Sequence, residues 1–287
     1  MKRISLAVFF LLAFFAPNAF AQTPRTAEEF FNRGIRYFQS SDFDRAISDF
    51  SQTIRLNPGF ANAYNNRGAA YFSKNDNDRA IADYNQAISL NPNYADAYYN
   101  RGAAYGSKND NDRAIADYNQ AIRLNPNFID AYFNRGKAYF NKGDHNRAIA
   151  DYSQVIRLDP NDIMAYYNRG IAYFTKGDHN RAIADYDQVI RIRPNFADVY
   201  NNRGNAYDEK RDYDRAIADY DQAIRLNSNY ADAYNNRGVS YLKKGDHEKA
   251  MQDWNTALKI NPSHFEAKAN IERLQAHLER NQTNTNR

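Results

Sequence analysis

The dipeptide Arg-Gly returns at a fixed interval, and this regularity constrains the fold more than any other feature of the 287 residues. Consecutive copies lie 34 residues apart, at positions 33–34, 67–68, 101–102, 135–136, 169–170, 203–204 and 237–238. The same frame of residues surrounds every copy, so the chain is built from repeats of one short unit. Such units bury their apolar surface only by stacking on their neighbours. The sequence therefore predicts a stacked repeat array.

Each repeat contains two amphipathic stretches of about 13 residues, which predict a pair of helices, called helix A and helix B below. An Asp such as Asp144 precedes the second stretch and is suited to cap the N-terminus of helix B. A Pro such as Pro126 ends that helix. The Gly of Arg-Gly lies inside helix A, where glycine costs about 1 kcal/mol relative to alanine. Its recurrence predicts that a neighbouring helix approaches closely at this point.

The residues that recur within the repeat resemble those of the tetratricopeptide repeat. The third repeat carries the family's pattern of aromatic, Gly, Tyr, Ala, aromatic, Ala and Pro at Tyr98, Gly102, Tyr105, Ala114, Tyr118, Ala121 and Pro126. Two departures are the Arg before the Gly, where the family has Leu, and Ser228 in place of a closing Pro. The resemblance implies an all-α fold: a right-handed α-solenoid of seven 34-residue helix-turn-helix repeats plus a C-terminal capping helix.

The repeat register divides the chain into segments. A short linker over 22–26 precedes seven repeats, which we place at 27–60, 61–94, 95–128, 129–162, 163–196, 197–230 and 231–264. An apolar stripe after the last repeat predicts one capping helix over 265–280, with Ala267, Ile271, Leu274 and Leu278 on one side. The polar residues 281–287 are predicted to form a disordered tail.

The first 21 residues have the pattern of an export signal. Lys2 and Arg3 precede a run of thirteen apolar residues, and Ala19-Phe20-Ala21 offers small residues for cleavage after Ala21. Thirteen residues fall short of the roughly 20 needed to span a bilayer, although an uncleaved anchor is the alternative reading. We therefore expect a periplasmic or secreted protein with no stable membrane insertion after cleavage of the signal.

The composition argues against several classes of function. The formal net charge of +4 falls to +2 when Lys2 and Arg3 leave with the signal, which is too balanced to favour nucleic acid. The chain lacks cysteine, and its recurring histidines stand at one equivalent repeat position, about 10 Å apart in packed helices. No catalytic motif, metal site or cofactor site is predicted, so the chain is not expected to be an enzyme.

Helix A carries an Asn at its sixth position in every repeat. A primary amide donates and accepts hydrogen bonds together, so it can pair with the backbone of an extended peptide. The pattern resembles the asparagine ladder in the tetratricopeptide arm of protein O-GlcNAc transferases. The alternative is that these amides only solvate the surface. The residues predicted to contact peptide are Asn66, Asn100, Asn134, Asn168, Asn202 and Asn236.

Aromatic residues concentrate at the fifth and twelfth positions of helix A in the middle repeats. Projected at 100° per residue, these positions fall on the arc that lines the concave groove in the family. Exposed aromatic side chains in a groove indicate a binding site. Lateral packing against the neighbouring helix A is the alternative. The predicted binding residues are Tyr99, Phe133, Tyr167, Phe140 and Phe174.

Arg at the seventh position of helix A falls toward the packing side, where a charge requires a partner. An Asp in helix B, such as Asp151 for Arg135, is available in every repeat, so the sequence predicts a series of structural ion pairs. Together these features favour a non-catalytic adaptor that binds an extended peptide or a partner protein of unknown identity in its groove. The alternative is a self-assembling structural scaffold of the cell envelope.

Overall fold

The computed structural model describes residues 25–285, and side chains up to Arg280. The predicted signal peptide, residues 22–24 of the linker and residues 286–287 of the tail lie outside these described residues. Within the described range every regular element is an α-helix, and the helices follow one another in packed pairs. The predicted fold class, an all-α array of helix-turn-helix repeats with a terminal capping helix, is confirmed.

The chain divides into two compact units, and the first ends at Leu158. It contains four helix pairs, with odd numbers for helix A and even numbers for helix B. Their bounds are α1 (Ala27–Gln39), α2 (Phe43–Leu56), α3 (Ala61–Ser73), α4 (Asn77–Leu90), α5 (Ala95–Ser107), α6 (Asn111–Leu124), α7 (Ile129–Asn141) and α8 (His145–Leu158).

The second unit begins at Asp159 and contains three helix pairs and the capping helix. Their bounds are α9 (Ile163–Thr175), α10 (His179–Ile192), α11 (Ala197–Glu209), α12 (Tyr213–Leu226), α13 (Ala231–Lys243), α14 (His247–Ile260) and α15 (Phe265–Thr285). The last helix runs beyond Arg280, where the prediction placed the start of a disordered tail.

The residue before α9 differs from its equivalents in other repeats. An aromatic residue precedes helix A at Phe128 and Phe196, for example, whereas Asp162 stands before α9. The Asp162 carboxylate accepts a hydrogen bond from the backbone N–H of Ala165 at 3.0 Å, so it caps the helix. In this repeat a polar cap replaces the apolar ring.

Helix A packs against helix B of its own repeat and, within each unit, against helix A of the next repeat. The recurring Gly lies where helix A comes closest to helix B of its own repeat. A Cβ at Gly102 would lie 2.8 Å from the Tyr118 ring and 3.2 Å from the carbonyl oxygen of Ala114. Real side chains do not reach these distances without displacement, so the predicted close approach at this Gly is confirmed.

The predicted ion pairs between helix A and helix B are confirmed in all seven repeats. Arg135 donates from Nε and Nη2 to the two carboxylate oxygens of Asp151, at 2.8 and 2.6 Å. Its Nη1 donates to Asn119 of the preceding helix B at 2.6 Å. The pairs are Arg33–Asp49, Arg67–Asp83, Arg101–Asp117, Arg135–Asp151, Arg169–Asp185, Arg203–Asp219 and Arg237–Asp253. Each pair ties helix A to helix B.

Candidate functional site: a cleft on the A helices of the first unit

The first unit contains a cleft of about 420 Å³ on its A helices. Helices α3, α5 and α7 supply most of its wall, and the turns after α3 and α5 complete it together with residues of α4 and α6. The lining residues are Phe72, Ser73, Asn75, Asn77, Tyr99, Asn100, Ala103, Gly106, Ser107, Asn109, Asn111, Tyr118, Asn134, Lys137, Ala138 and Asn141. The wall is therefore rich in amides, with small residues from α5 and two tyrosines. We call this site the α5 cleft.

Three of the residues predicted from the sequence meet in the α5 cleft: Tyr99, Asn100 and Asn134. They are linked by hydrogen bonds to neighbouring A helices. Asn134 donates from Nδ2 to the Tyr99 hydroxyl at 2.9 Å, and Asn100 donates to the side-chain oxygen of Asn65 at 3.0 Å. The same links stiffen the wall of the cleft.

These links follow one rule within each unit. The sixth-position amide donates to the fifth-position side chain of the preceding helix A when that side chain has an oxygen. In the second unit, Asn202 donates to the Tyr167 hydroxyl at 3.0 Å, and Asn236 donates to Asn201 at 3.1 Å. Asn66 and Asn168 instead donate to backbone carbonyls of their own helices, at 2.8 and 2.7 Å.

The expectation that the sixth-position amides face solvent is wrong for Asn66 and Asn100, which are 3% exposed. Neighbouring A helices cover them, and a single-helix projection does not show that contact. The four equivalent amides in later repeats are half-buried, at Asn134, Asn168, Asn202 and Asn236. Contact between these amides and a peptide stays a prediction.

The expectation that fifth-position rings stand exposed is wrong for Tyr99 and Phe133, which are 2% and 6% exposed. Tyr99 packs against Tyr118 and Phe128, with ring centroids 6.0 and 4.8 Å apart, so its ring belongs largely to the core. Tyr167 is half-buried and lies against Phe196 at 5.1 Å. These rings therefore pack mainly against helix B of their own repeat and against the residue that precedes the next helix A.

The twelfth-position rings, Phe140 and Phe174, are half-buried. Each packs against the first residue of the following helix B, a histidine, at centroid distances of 5.0 and 5.3 Å. They line no part of the α5 cleft. Their binding role likewise stays a prediction.

Most of the lining residues were not predicted from the sequence, among them Gly106, Tyr118 and Lys137. Tyr118 was identified only as an aromatic of the repeat pattern, and Gly106 stands at the twelfth position where four other repeats have Phe. That break in the twelfth-position pattern was the available signal. Among the described residues of the wall, Lys137 is the charged one, and it is exposed.

The tyrosine hydroxyls of the cleft are neutral at physiological pH. Burial raises the pKa of Tyr99 and of Tyr118 well above the ordinary value of 10.0. A neutral phenol donates one hydrogen bond and accepts others. Tyr99 accepts from Asn134, so its own O–H remains available as a donor. The cleft can therefore hydrogen-bond both donors and acceptors of a neutral ligand.

Within residues 25–285, no helix is long and apolar enough to cross a membrane. The same part of the chain brings together no group of three or more His, Cys, Asp or Glu side chains suited to a metal ion. The polar groups that line the α5 cleft are amides, phenols, two serine hydroxyls and one ammonium group.

Paired helices of this geometry, stacked in a fixed register, define an α-helical repeat protein, and comparison with known families agrees. The profile described as TPR repeat matches residues 34–75, 68–108, 104–143, 136–177 and 170–210, and the one described as tetratricopeptide repeat matches 201–264. The chain belongs to the tetratricopeptide-repeat family. Proteins of this fold are generally non-catalytic scaffolds for protein interaction.

Solved structures with this fold include several repeat proteins. MamA is 28% identical, with a TM-score of 0.56, covering 58% of this chain and 92% of MamA. The C-terminal part of a TPR repeat-containing protein from Cytophaga hutchinsonii is 22% identical, with a TM-score of 0.71, covering 83% and 98%. YrrB, described as a TPR protein with an unusual peptide-binding site, is 23% identical, with a TM-score of 0.51, covering 78% and 97%. No curated protein matches the sequence.

Proposed function

We propose that this chain is a non-catalytic binding protein that holds an extended peptide segment in the α5 cleft. The observation that carries the proposal is the cleft itself, which gathers Tyr99, Asn100 and Asn134 around about 420 Å³. Small-ligand sites occupy roughly 300–1,000 Å³ and combine apolar walls with a few placed polar groups. The cleft thus suits one or two side chains of a peptide together with their backbone.

The wall chemistry favours an uncharged or mildly acidic segment. Amide side chains pair with peptide groups without reading the sequence, because every peptide unit offers the same donor and acceptor. Lys137 adds one positive charge at the rim of the cleft. YrrB shows a peptide-binding site on a related fold, which supports peptide binding as a use of this architecture.

Binding to a peptide array tests the proposal, with one variant in the cleft and one matched variant outside it. Ser107 lines the cleft and is exposed, and Ala116 is exposed on α6. We expect Ser107→Arg to weaken the peptides that bind by roughly tenfold, equal to about 1.4 kcal/mol. Ala116→Arg should leave their affinities unchanged. Equal effects of the two variants would place binding elsewhere, and an array without any binder would refute the proposal.

We further propose that the protein works in the periplasm or outside the cell. The support is the sequence of residues 1–21, which has the charged start, apolar run and small residues of a cleaved signal. Intact-mass measurement of protein from fractionated cells should give a chain that begins at Gln22. A mass that includes Met1, recovered with membranes, would contradict this.

Self-assembly is a second candidate, because Phe265 at the start of the capping helix is 76% exposed. A ring left in water at the end of an array can pack against another copy. Sedimentation over a concentration series should then show dimers that Phe265→Glu dissociates. A monomer at all concentrations would remove this candidate.

A further inference from the structure

The third repeat lacks a ring that four other repeats possess. The twelfth position of helix A holds Phe38, Phe72, Phe140 and Phe174 in the first, second, fourth and fifth repeats. Three of these rings, Phe38, Phe140 and Phe174, pack against the first residue of helix B at centroid distances of 5.5, 5.0 and 5.3 Å. In the third repeat the position is Gly106, and α6 begins with Asn111. Both residues line the α5 cleft.

The backbone around Gly106 does not require a glycine. A Cβ placed there would lie 3.6 Å from the Tyr118 hydroxyl and 3.9 Å from the Ala114 Cβ, which are ordinary contact distances. Gly106 lies in the last turn of α5, one residue before the helix ends, and has no positive φ. Glycine is less favourable than alanine in a helix interior. The residue therefore weakens α5 without allowing a closer packing, and what it provides is open space.

A polar group faces this space without a protein partner. Tyr118 is 3% exposed and lines the cleft, and its hydroxyl has no hydrogen-bond partner among the described residues. The Tyr99 ring lies beside it at 6.0 Å. The hydroxyl is open to the cleft, and a ligand that fills the cleft covers it, so the bound state gains when the ligand replaces the hydrogen bonds that the hydroxyl makes to water. A ligand that fills the space and ends in a polar group would satisfy it.

We propose that Gly106 opens a socket in the α5 cleft for one tyrosine side chain of a bound peptide. The ligand ring takes the place that the twelfth-position Phe has in other repeats, and its hydroxyl pairs with that of Tyr118. This inference rests on the proposed function, because it names the side chain that the peptide inserts. Aromatic rings bring the largest buried area of any side chain, so a single one can dominate a peptide's affinity.

The test uses the mature chain and fluorescently labelled peptides selected from the array. Each peptide is made with its tyrosine, and with phenylalanine or alanine in the same place. We expect replacement by alanine to weaken binding to the wild type at least tenfold, and replacement by phenylalanine to weaken it about threefold, the loss of one hydrogen bond. An alanine peptide that binds as tightly as the tyrosine peptide would overturn the socket.

Variants of the protein supply the matching half of the test. Gly106→Phe restores the residue found in four other repeats, so it should fold normally and weaken the tyrosine peptide at least tenfold. Gly106→Ala keeps most of the space and should change the affinity less than threefold. Tyr118→Phe removes only the hydroxyl and should erase the preference for tyrosine over phenylalanine. Unchanged binding by a folded Gly106→Phe protein would refute the inference.

The outcomes separate this inference from the proposed function. One outcome is that peptides bind more weakly to Ser107→Arg and yet bind equally well with or without their tyrosine. That result would support the proposed function and refute the tyrosine socket. If no peptide binds, the proposed function fails, and the socket fails with it. If Gly106→Phe does not fold, the comparison of wild type with Tyr118→Phe decides the matter.

Discussion

Arg211 has a left-handed backbone conformation in the turn between helices A and B. Most other repeats have Gly or Asn at the equivalent position, and these residues adopt this conformation more easily. The turn between helices A and B needs a left-handed residue, and Gly143, Gly177 and Gly245 provide one. Asn109 also stands there, with a φ of 61°, and asparagine tolerates this region. Arg211 has the same φ of 61°. A side chain with a Cβ pays about 1–2 kcal/mol in this conformation.

We therefore expect Arg211→Gly to raise the free energy of unfolding by about 1 kcal/mol. Asn109→Gly is the matched control and should give a smaller gain, since asparagine is already accommodated. Denaturant titration followed by circular dichroism measures both. A loss of stability in Arg211→Gly would mean that the arginine side chain makes a contact worth more than the strain.

The amide of Asn100 is predicted to matter for stability. It donates to Asn65, which is 1% exposed, so Asn100→Ala leaves a buried amide with one partner fewer. The expected cost is about 1–3 kcal/mol. Asn66→Ala is the control, because Asn66 donates only to a carbonyl of its own helix and should cost less. Equal losses in the two variants would show that the link between helices adds nothing.

At the residue scale, the sequence identified the amides and rings but not their surroundings. The 34-residue period assigned Asn100, Tyr99 and Phe133 to one arc of helix A. A projection of one helix gives directions and contains no neighbour, so it could not show that surrounding helices bury these side chains. The hydrogen bond from Asn134 to Tyr99 joins residues 35 positions apart, and it depends on how closely two A helices approach.

Helix α5 contains two glycines with opposite roles. A Cβ at Gly102 would meet the Tyr118 ring at 2.8 Å and a backbone carbonyl at 3.2 Å, whereas a Cβ at Gly106 has ordinary contacts. We expect Gly102→Ala to destabilise the protein by about 1–3 kcal/mol through overpacking. Gly106→Ala should stabilise it by up to about 1 kcal/mol through helix propensity.

Thermal melts of the two variants measure this contrast within one helix and with one substitution. We expect a lower melting temperature for Gly102→Ala and an equal or higher one for Gly106→Ala. A loss of similar size at Gly106 would mean that the backbone needs glycine there, which would remove the argument that this residue serves the cleft.

The ion pair between α7 and α8 should respond differently to the loss of each partner. Arginine remains charged at all accessible pH values, whereas burial raises the pKa of Asp151 even with Arg135 beside it. Asp151→Leu leaves an uncompensated buried charge and should cost about 3 kcal/mol. Arg135→Leu should cost less, because Asp151 can take up a proton and become neutral.

The raised pKa of Asp151 also determines how the stability of the Arg135→Leu variant depends on pH. A carboxyl whose pKa in the folded state lies above its unfolded value of 3.8 favours folding while protonated, and this contribution is lost as pH rises through the folded pKa. Relative to wild type, the variant should therefore lose stability from about pH 4 upward. Urea titrations at several pH values measure the difference, and a deficit that shrinks as pH rises would contradict the pairing.

At the element scale, the sequence was a good guide because each helix boundary has a local cause. An Asp caps helix B, as Asp110 does by accepting from the Arg113 backbone N–H at 3.1 Å, and each helix A starts at the first residue of a predicted repeat. The continuation of α15 past Arg280 was missed, because the polar residues there have no apolar stripe to reveal a helix.

At the scale of the whole molecule, the repeats are alike in packing and unlike in the surface they offer. The Arg–Asp pair recurs seven times, whereas the twelfth position holds Phe in four repeats and Gly106, Asp208 and Leu242 in the others. Asp208 accepts a hydrogen bond from Ser240, so in the second unit this position serves an internal polar contact. The open space at Gly106 therefore distinguishes the third repeat from the four repeats that have Phe at this position.

Protection of a single cysteine tests peptide binding in the α5 cleft most directly, and the natural chain has no cysteine to interfere. Asn141→Cys places a thiol at the exposed edge of the cleft, and Ala116→Cys places one on the exposed side of α6. The rate of maleimide labelling is measured with and without a saturating amount of the tightest peptide from the array. If peptide occupies the cleft, labelling of Asn141→Cys should slow by at least about tenfold, and the rate for Ala116→Cys should stay unchanged. Equal rates at Asn141→Cys with and without bound peptide would contradict peptide binding in the α5 cleft.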